Sequence, residues 1–203
     1  MKPVCHFLLL LLTLPLGACQ SPPPAAPAPV APTPLTQLQA PASLGQWRLQ
    51  GSISQGEKMR LARYQLGDDA RQILDVSFYP LPDGWQHFTA QQSLERHFGM
   101  LAQQIATNAS AKYHATRVEA TSPQLHPASA SLPPALSSRL TSHFADQQTR
   151  ITLVSLTLFE GNFVRLTLTT DSSKADAMAP SLQAARIELL QQLAKKAPSA
   201  AHA

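Results

Sequence analysis

The run Ile151–Phe159 does most to narrow what this chain can fold into. Leaving aside the extreme N-terminus, it is the most apolar segment, and it is apolar at odd and even positions alike. A strand turns alternate residues to opposite faces, so a segment apolar on both belongs in the middle of a sheet. Asp146-Gln147-Gln148 precedes it and Glu160-Gly161-Asn162 follows it, both turn signals, and Phe163–Thr170 then returns. The expectation is a hairpin with its first strand at the centre of an antiparallel sheet.

The other segments fit around it. Trp47, Leu49, Gly51 and Ile53 alternate with Arg48, Gln50 and Ser52, which is strand periodicity. Ser54-Gln55-Gly56-Glu57 turns into a second strand, Lys58–Leu66. Gly67-Asp68-Asp69 turns into a third, with Leu74, Val76 and Phe78 on one face. After Pro80-Leu81-Pro82-Asp83-Gly84 a helix begins. Thr89 and Gln92 have capping-box spacing, and Leu94, Phe98, Leu101 and Ile105 form one stripe. Gly99 weakens that helix by up to ~1 kcal/mol relative to Ala, which a close helix–sheet approach would explain. A strand over Tyr113–Ala120, a long Pro-punctuated loop over Ser122–Pro134 and a strand carrying Leu136, Leu140 and Phe144 come next. The last element is a helix from about Pro180 to Lys196, with Leu182, Ala185, Leu189 and Leu193 as its buried stripe, widened by Leu190. Lys195 and Lys196 sit in its final turn, where the helix dipole favours cations. Strands, helix, strands, helix: the order argues for an α+β domain over 45–196, an antiparallel sheet of about six to seven strands covered by two helices.

The N-terminus reads differently. Lys2 is a short positive region, Phe7–Leu16 an apolar stretch broken only by Thr13 and Pro15, and small residues follow. This is a signal-peptide pattern over 1–18, too short for a transmembrane helix of ~20 residues. Leu16-Gly17-Ala18-Cys19 resembles the lipobox of bacterial lipoproteins. The resemblance implies cleavage between Ala18 and Cys19, a diacylglyceryl thioether on Cys19, and residence in the cell envelope. Several acyl chains on one residue make such an attachment effectively permanent, since each buried methylene contributes ~0.8 kcal/mol. Gln20, where an Asp would commonly retain a Gram-negative lipoprotein at the inner membrane, favours the outer membrane facing the periplasm. Cys5 falls in the discarded segment, so the mature chain would carry no other thiol, which excludes disulfides, thiol catalysis and Cys-based metal sites.

From Gln20 to Leu44 there are eight prolines, no glycine and no charged residue. Such a stretch favours extended polyproline II and reads as a spacer, giving a lipidated tether over 19–44; residues 197–203 read as a frayed tail. Charged residues make up only 14% of the chain and the net charge is +4. The basic residues are scattered rather than clustered with aromatics, so nucleic acid is excluded as a partner. The partners expected are the membrane, through the anchor, and an envelope protein or glycan.

Leu81-Pro82-Asp83-Gly84-Trp85 before a helix, and Asn162-Phe163-Val164-Arg165-Leu166-Thr167 before the final helix, resemble the PsbP-like superfamily. The resemblance spans most of Trp47–Ala194, and it implies a binding or assembly factor rather than an enzyme.

Motifs for chemistry are absent. His87, His97, His114, His126 and His143 form neither HxH nor HExxH, so no metal is expected. His114 and His143 can meet across a sheet, although exposed or core positions explain them better. No GxSxG, phosphate-binding loop or dinucleotide fingerprint occurs, and no cofactor is expected. Asp68-Asp69 is a turn pair. Trp85 is marked for partner contact, as an aromatic in a loop, against the plainer reading that it seals the sheet edge beneath the helix. The expected function is thus a non-enzymatic binding or accessory module. The alternative is a small envelope hydrolase whose site draws together His87, His114, His143 and Asp146.

Overall fold

A computed structural model describes residues 32–67 and 69–196. The expected signal segment, Cys19, the tether as far as Ala31, Asp68, His202 and the tail lie outside these residues. The strands are β1 (Ser43–Leu44), β2 (Trp47–Ser54), β3 (Arg60–Leu66), β4 (Asp69–Pro80), β5 (Arg117–Ala120), β6 (Gln124–His126), β7 (Ala135–His143), β8 (Thr149–Phe159) and β9 (Asn162–Asp171). The helices are α1 (Ala90–Tyr113) and α2 (Ala175–Lys196). One antiparallel sheet runs in the order β1-β2-β3-β4-β9-β8-β7-β5, and β6 also pairs with β7. The α+β class holds as read from the sequence. The short β1 and β6 are the strands that periodicity could not reveal, at two and three residues.

β8 lies inside the sheet, between β9 and β7, as its two apolar faces require. Its odd positions Ile151 and Leu153 enter one core, with Phe78, Leu166, Leu168 and the α2 stripe Leu182, Ala185, Leu189 and Leu193. Its even positions Val154 and Leu156 enter another, with Leu136, Leu140, Phe163 and the α1 residues Leu94, Phe98 and Leu101. One helix therefore covers each face of the same sheet. Burying each such large apolar side chain contributes ~1.5–3 kcal/mol.

α1 starts as expected. Thr89 Oγ1 accepts from the Gln92 N–H at 3.2 Å, and Gln92 Oε1 accepts from the Thr89 N–H at 2.9 Å. It runs further than expected, through Tyr113, and closes where His114 turns left-handed (φ 58°) and the Ala115 N–H reaches the Ala109 carbonyl at 3.1 Å. The strand expected over Tyr113–Ala120 is thereby shortened to Arg117–Ala120. A close helix–sheet approach at Gly99 is not found. The glycine is solvent-exposed, and a Cβ built there meets no atom within 4 Å.

α2 begins at Ala175, ahead of the expected Pro180, which lies inside the helix. Proline withdraws one N–H from the ladder, but the completely buried Ala175 holds the opening turn on the core. The loop expected over Ser122–Pro134 is partly ordered by β6 and by a bridge between Ser129 and Leu132.

The largest departure concerns the tether. Its described part is packed onto the domain: Leu35, Leu38 and Leu44 are buried in the α2-side core. Arg60 Nη1 donates to the Leu35 and Thr36 carbonyls, both at 3.1 Å, and Tyr64 donates its hydroxyl proton to the Pro41 carbonyl at 2.9 Å. The high proline content masked three well-spaced leucines. Prolines lack donors for a sheet, but here side chains from β3 satisfy the segment's carbonyls instead.

Candidate functional site

A concavity with a volume of about 510 Å³ lies between α2 and the strands β6, β7 and β8. Directly opposed residues of antiparallel strands share a face. Ser155 of β8 opposes Ser137 of β7, Gln124 of β6 opposes Ser137, and His126 opposes Ala135. Gln124, His126, Ser137 and Ser155 therefore all turn toward α2. Leu153, Ala175, Pro180 and Leu182 form the apolar wall. Arg139 of β7 reaches Asp176 in the first turn of α2 at 2.7 Å. Because that carboxylate is almost fully solvated, the ion pair adds little stability.

His126 Nε2 and Ser137 Oγ are 2.7 Å apart, and the tautomer decides which of them donates. Burial pushes the imidazole below its usual value, and the Arg186 charge adds to this. Arg186 lies one turn along α2 from Leu182 and Gln183, which line the cleft, and it is only 3% exposed. Its Nε and Nη1 are buried with no hydrogen-bond partner, as is Ser155 Oγ, although Ser155 lines the cleft. Burial lowers the guanidinium's proton affinity, yet arginine remains charged at physiological pH.

A serine beside a histidine invites comparison with a hydrolytic triad, and two features count against it. Among the described residues no carboxylate bonds His126, so no third group orients the ring. The nearby Arg186 charge also opposes the imidazolium that general-base catalysis would create. The arrangement is better suited to holding a ligand than to activating a nucleophile.

The four residues of the hydrolase alternative do not converge. His87 precedes α1 and packs at a tilt against Phe88 with centroids 4.1 Å apart, while His114 caps the far end of that helix. Twenty-four residues of helix separate the two ends, roughly 36 Å at 1.5 Å per residue. His143 turns toward Glu119, at 3.7 Å, whereas its neighbour Ser142 faces the α1 side. Asp146 caps its own turn by accepting from the Gln148 N–H at 3.1 Å. His114 and Asp146 share only a shallow hollow with Tyr113 and Arg150.

Trp85 is half-buried and packs against the α1-side core. Its ring meets Phe88 and Phe163 edge-on at 5.9 and 6.4 Å, and the Arg96 guanidinium lies 5.4 Å from its centroid. These contacts set the ring between α1 and Phe163 of β9. Beside it, His97 stacks on Phe163 at 4.3 Å and shares a 2.8 Å hydrogen bond with the Tyr79 hydroxyl. Burial, helped by the Arg165 charge, lowers the His97 pKa to about 4.

No family model and no curated sequence matches the chain. Among solved structures it is similar to cyanobacterial PsbP (CyanoP) from Synechocystis sp. PCC 6803, with 13% identity over 70% of this chain and 80% of that one and a TM-score of 0.47. It is also similar, more loosely, to the lipid transfer and protein localization domain of human StarD13 (DLC2), with 11% identity over 72% and 89% and a TM-score of 0.22. Neither similarity carries a family or a function to this chain.

Sequence reasoning passed over the cleft. Ser137, Ser155 and Arg186 are ordinary residues in their own segments, and only the register of β6, β7 and β8 beneath α2 gathers them. One signal was present: Arg186 falls four residues after Leu182 and three before Leu189, on the apolar stripe of α2.

Proposed function

We propose that this protein is a lipid-anchored, non-enzymatic binding module of the bacterial cell envelope, attached through Cys19 and facing the periplasm from the outer membrane. The lipobox-like Leu16-Gly17-Ala18-Cys19 supports the attachment. The observation that carries the binding function is the cleft under α2. It combines apolar side chains with inward-facing hydroxyls, the composition of a site that orients a ligand, and the buried Arg186 lies one helical turn beyond its lining. The prolines between Gln20 and Ala31 would act as the spacer, while the segment from Pro32 belongs to the domain.

Native mass spectrometry of the full-length protein, extracted from membranes in mild detergent, tests this reading. The expected spectrum is a mature chain starting at an acylated Cys19 with a reproducible non-covalent companion that stays intact on incubation. An unacylated chain, or one that never carries a companion, would overturn it.

A hydrolytic reading rests on the 2.7 Å contact between His126 and Ser137 alone. It requires the companion to be cleaved by the wild-type protein and preserved by Ser137→Ala.

A further inference from the structure

We propose that the α2 cleft is an oxyanion site, in which Arg186 and Ser155 receive a carboxylate or phosphate group whose apolar stem lies against Leu153, Pro180 and Leu182. The inference deepens the binding-module reading and is independent of lipidation. Its first support is the pair of unpartnered, buried nitrogens on Arg186. A buried charge without a partner is among the most costly features a fold can hold, and among the described residues nothing answers Arg186 Nε or Nη1. Nε and Nη1 lie on different edges of the planar guanidinium, so each calls for its own acceptor oxygen, and an anionic oxygen gives the stronger, charge-assisted bond.

The second support comes from the cleft lining, which begins one helical turn from Arg186 at Leu182 and Gln183. Ser155 Oγ is completely buried and unpartnered, although the same residue lines the cleft, so a second donor awaits an acceptor there. His126, the lining residue that senses the Arg186 charge, is disfavoured as a cation and holds Ser137 through its Nε2. Among the described residues the one carboxylate lining the cleft is Asp176, which pairs with Arg139. Apart from Thr121, Ser122, Gln124, Ser138 and Gln183, the remaining wall is aliphatic. A simple inorganic anion would leave that wall uncovered, so an amphiphile fits better than a bare ion. The cavity, about 510 Å³, has the size of a small-ligand site.

Calorimetric titration of the full-length protein with octanoate, octyl phosphate and octanol tests the proposal, since the three probes share a stem and differ in the head. At least one of the two anions should bind about tenfold or more tightly than the alcohol, the factor a charge-assisted pair commonly supplies. The stronger of the two anions identifies the oxyanion. Arg186→Leu should abolish that preference and raise the melting temperature of the unliganded protein, because it removes a buried unpaired charge. Should that variant not fold, Arg186→Lys and Ser155→Ala keep the question answerable, and each should weaken anion binding several-fold. Equal affinity for the three probes, no binding of any, or an unchanged anion preference in Arg186→Leu would overturn the proposal. A companion molecule found on the native protein together with any of these failures would sink the oxyanion assignment alone and leave the binding module standing.

Discussion

Asn162 Nδ2 donates to the carbonyl of Thr33 at 2.8 Å, across 129 positions of sequence, and fastens the N-terminal segment to the turn between β8 and β9. The Thr33 N–H and hydroxyl return bonds to the Glu160 carbonyl and carboxylate at 3.0 and 2.6 Å. Gly161 completes the clasp. A Cβ there would come within 2.7 Å of Pro32, and its φ of 75° already excludes most side chains. The end of the spacer is thus a structural strap over the central hairpin.

If the strap is part of the core, trimming it must cost what a core substitution costs. Leu44→Ala, at a completely buried position, should destabilise the protein by about 2–5 kcal/mol. Asn162→Ala should cost about 1–3 kcal/mol by leaving the Thr33 carbonyl unanswered. Urea denaturation measures both, and a loss below about 0.5 kcal/mol for Leu44→Ala would mean that the segment is only a passive linker.

The exposed Gly99 offers the opposite sign. Nothing occupies the space its Cβ would take, so Gly99→Ala should stabilise the protein by up to ~1 kcal/mol through helix propensity. A destabilising result in the same measurement would restore a packing role for this glycine.

Thr89 and Gln92 close a reciprocal cap on α1. Thr89→Ala removes the acceptor and should lower stability by about 0.5–2 kcal/mol. Restoring a capping side chain as Thr89→Ser should return most of that loss, whereas no recovery would assign the effect to the threonine methyl.

His97 sets a pH dependence. Its folded pKa of about 4 lies below the ordinary 6.5, so the unfolded chain binds the proton more readily between those values. The stability it contributes is therefore full above pH 6.5 and is lost as the pH falls toward about 4. His97→Phe should flatten this part of the urea-midpoint profile, at some cost in the Tyr79 hydrogen bond. An unchanged slope would place the acid sensitivity in other groups.

The legible parts of this molecule were those in which a local pattern and the tertiary fold agree. Ile151–Phe159 disclosed its central place through two apolar faces, Thr89 and Gln92 disclosed a helix start, and Leu182, Ala185, Leu189 and Leu193 disclosed the buried side of α2. The hidden parts depend on partners distant in sequence. Leu35, Leu38 and Leu44 are too sparse among prolines to show a period, and their burial follows from β3 and α2. The pairing of Ser137 with Ser155 arises from strand register, and the burial of Arg186 from the way α2 lies over the sheet. Conversely, His87, His114, His143 and Asp146 carry suggestive chemistry, but the length of α1 and the alternation of β7 keep His87 and His143 away from the hollow that His114 and Asp146 share.

Attachment through Cys19 underlies the proposed role, and labelling growing bacterial cells with radioactive palmitate tests it most directly. Wild-type protein should take up label and run as the shortened mature form, while Cys19→Ala should accumulate unlabelled and unprocessed. A wild-type protein that is processed normally and released without label would contradict a lipid-anchored module of the envelope.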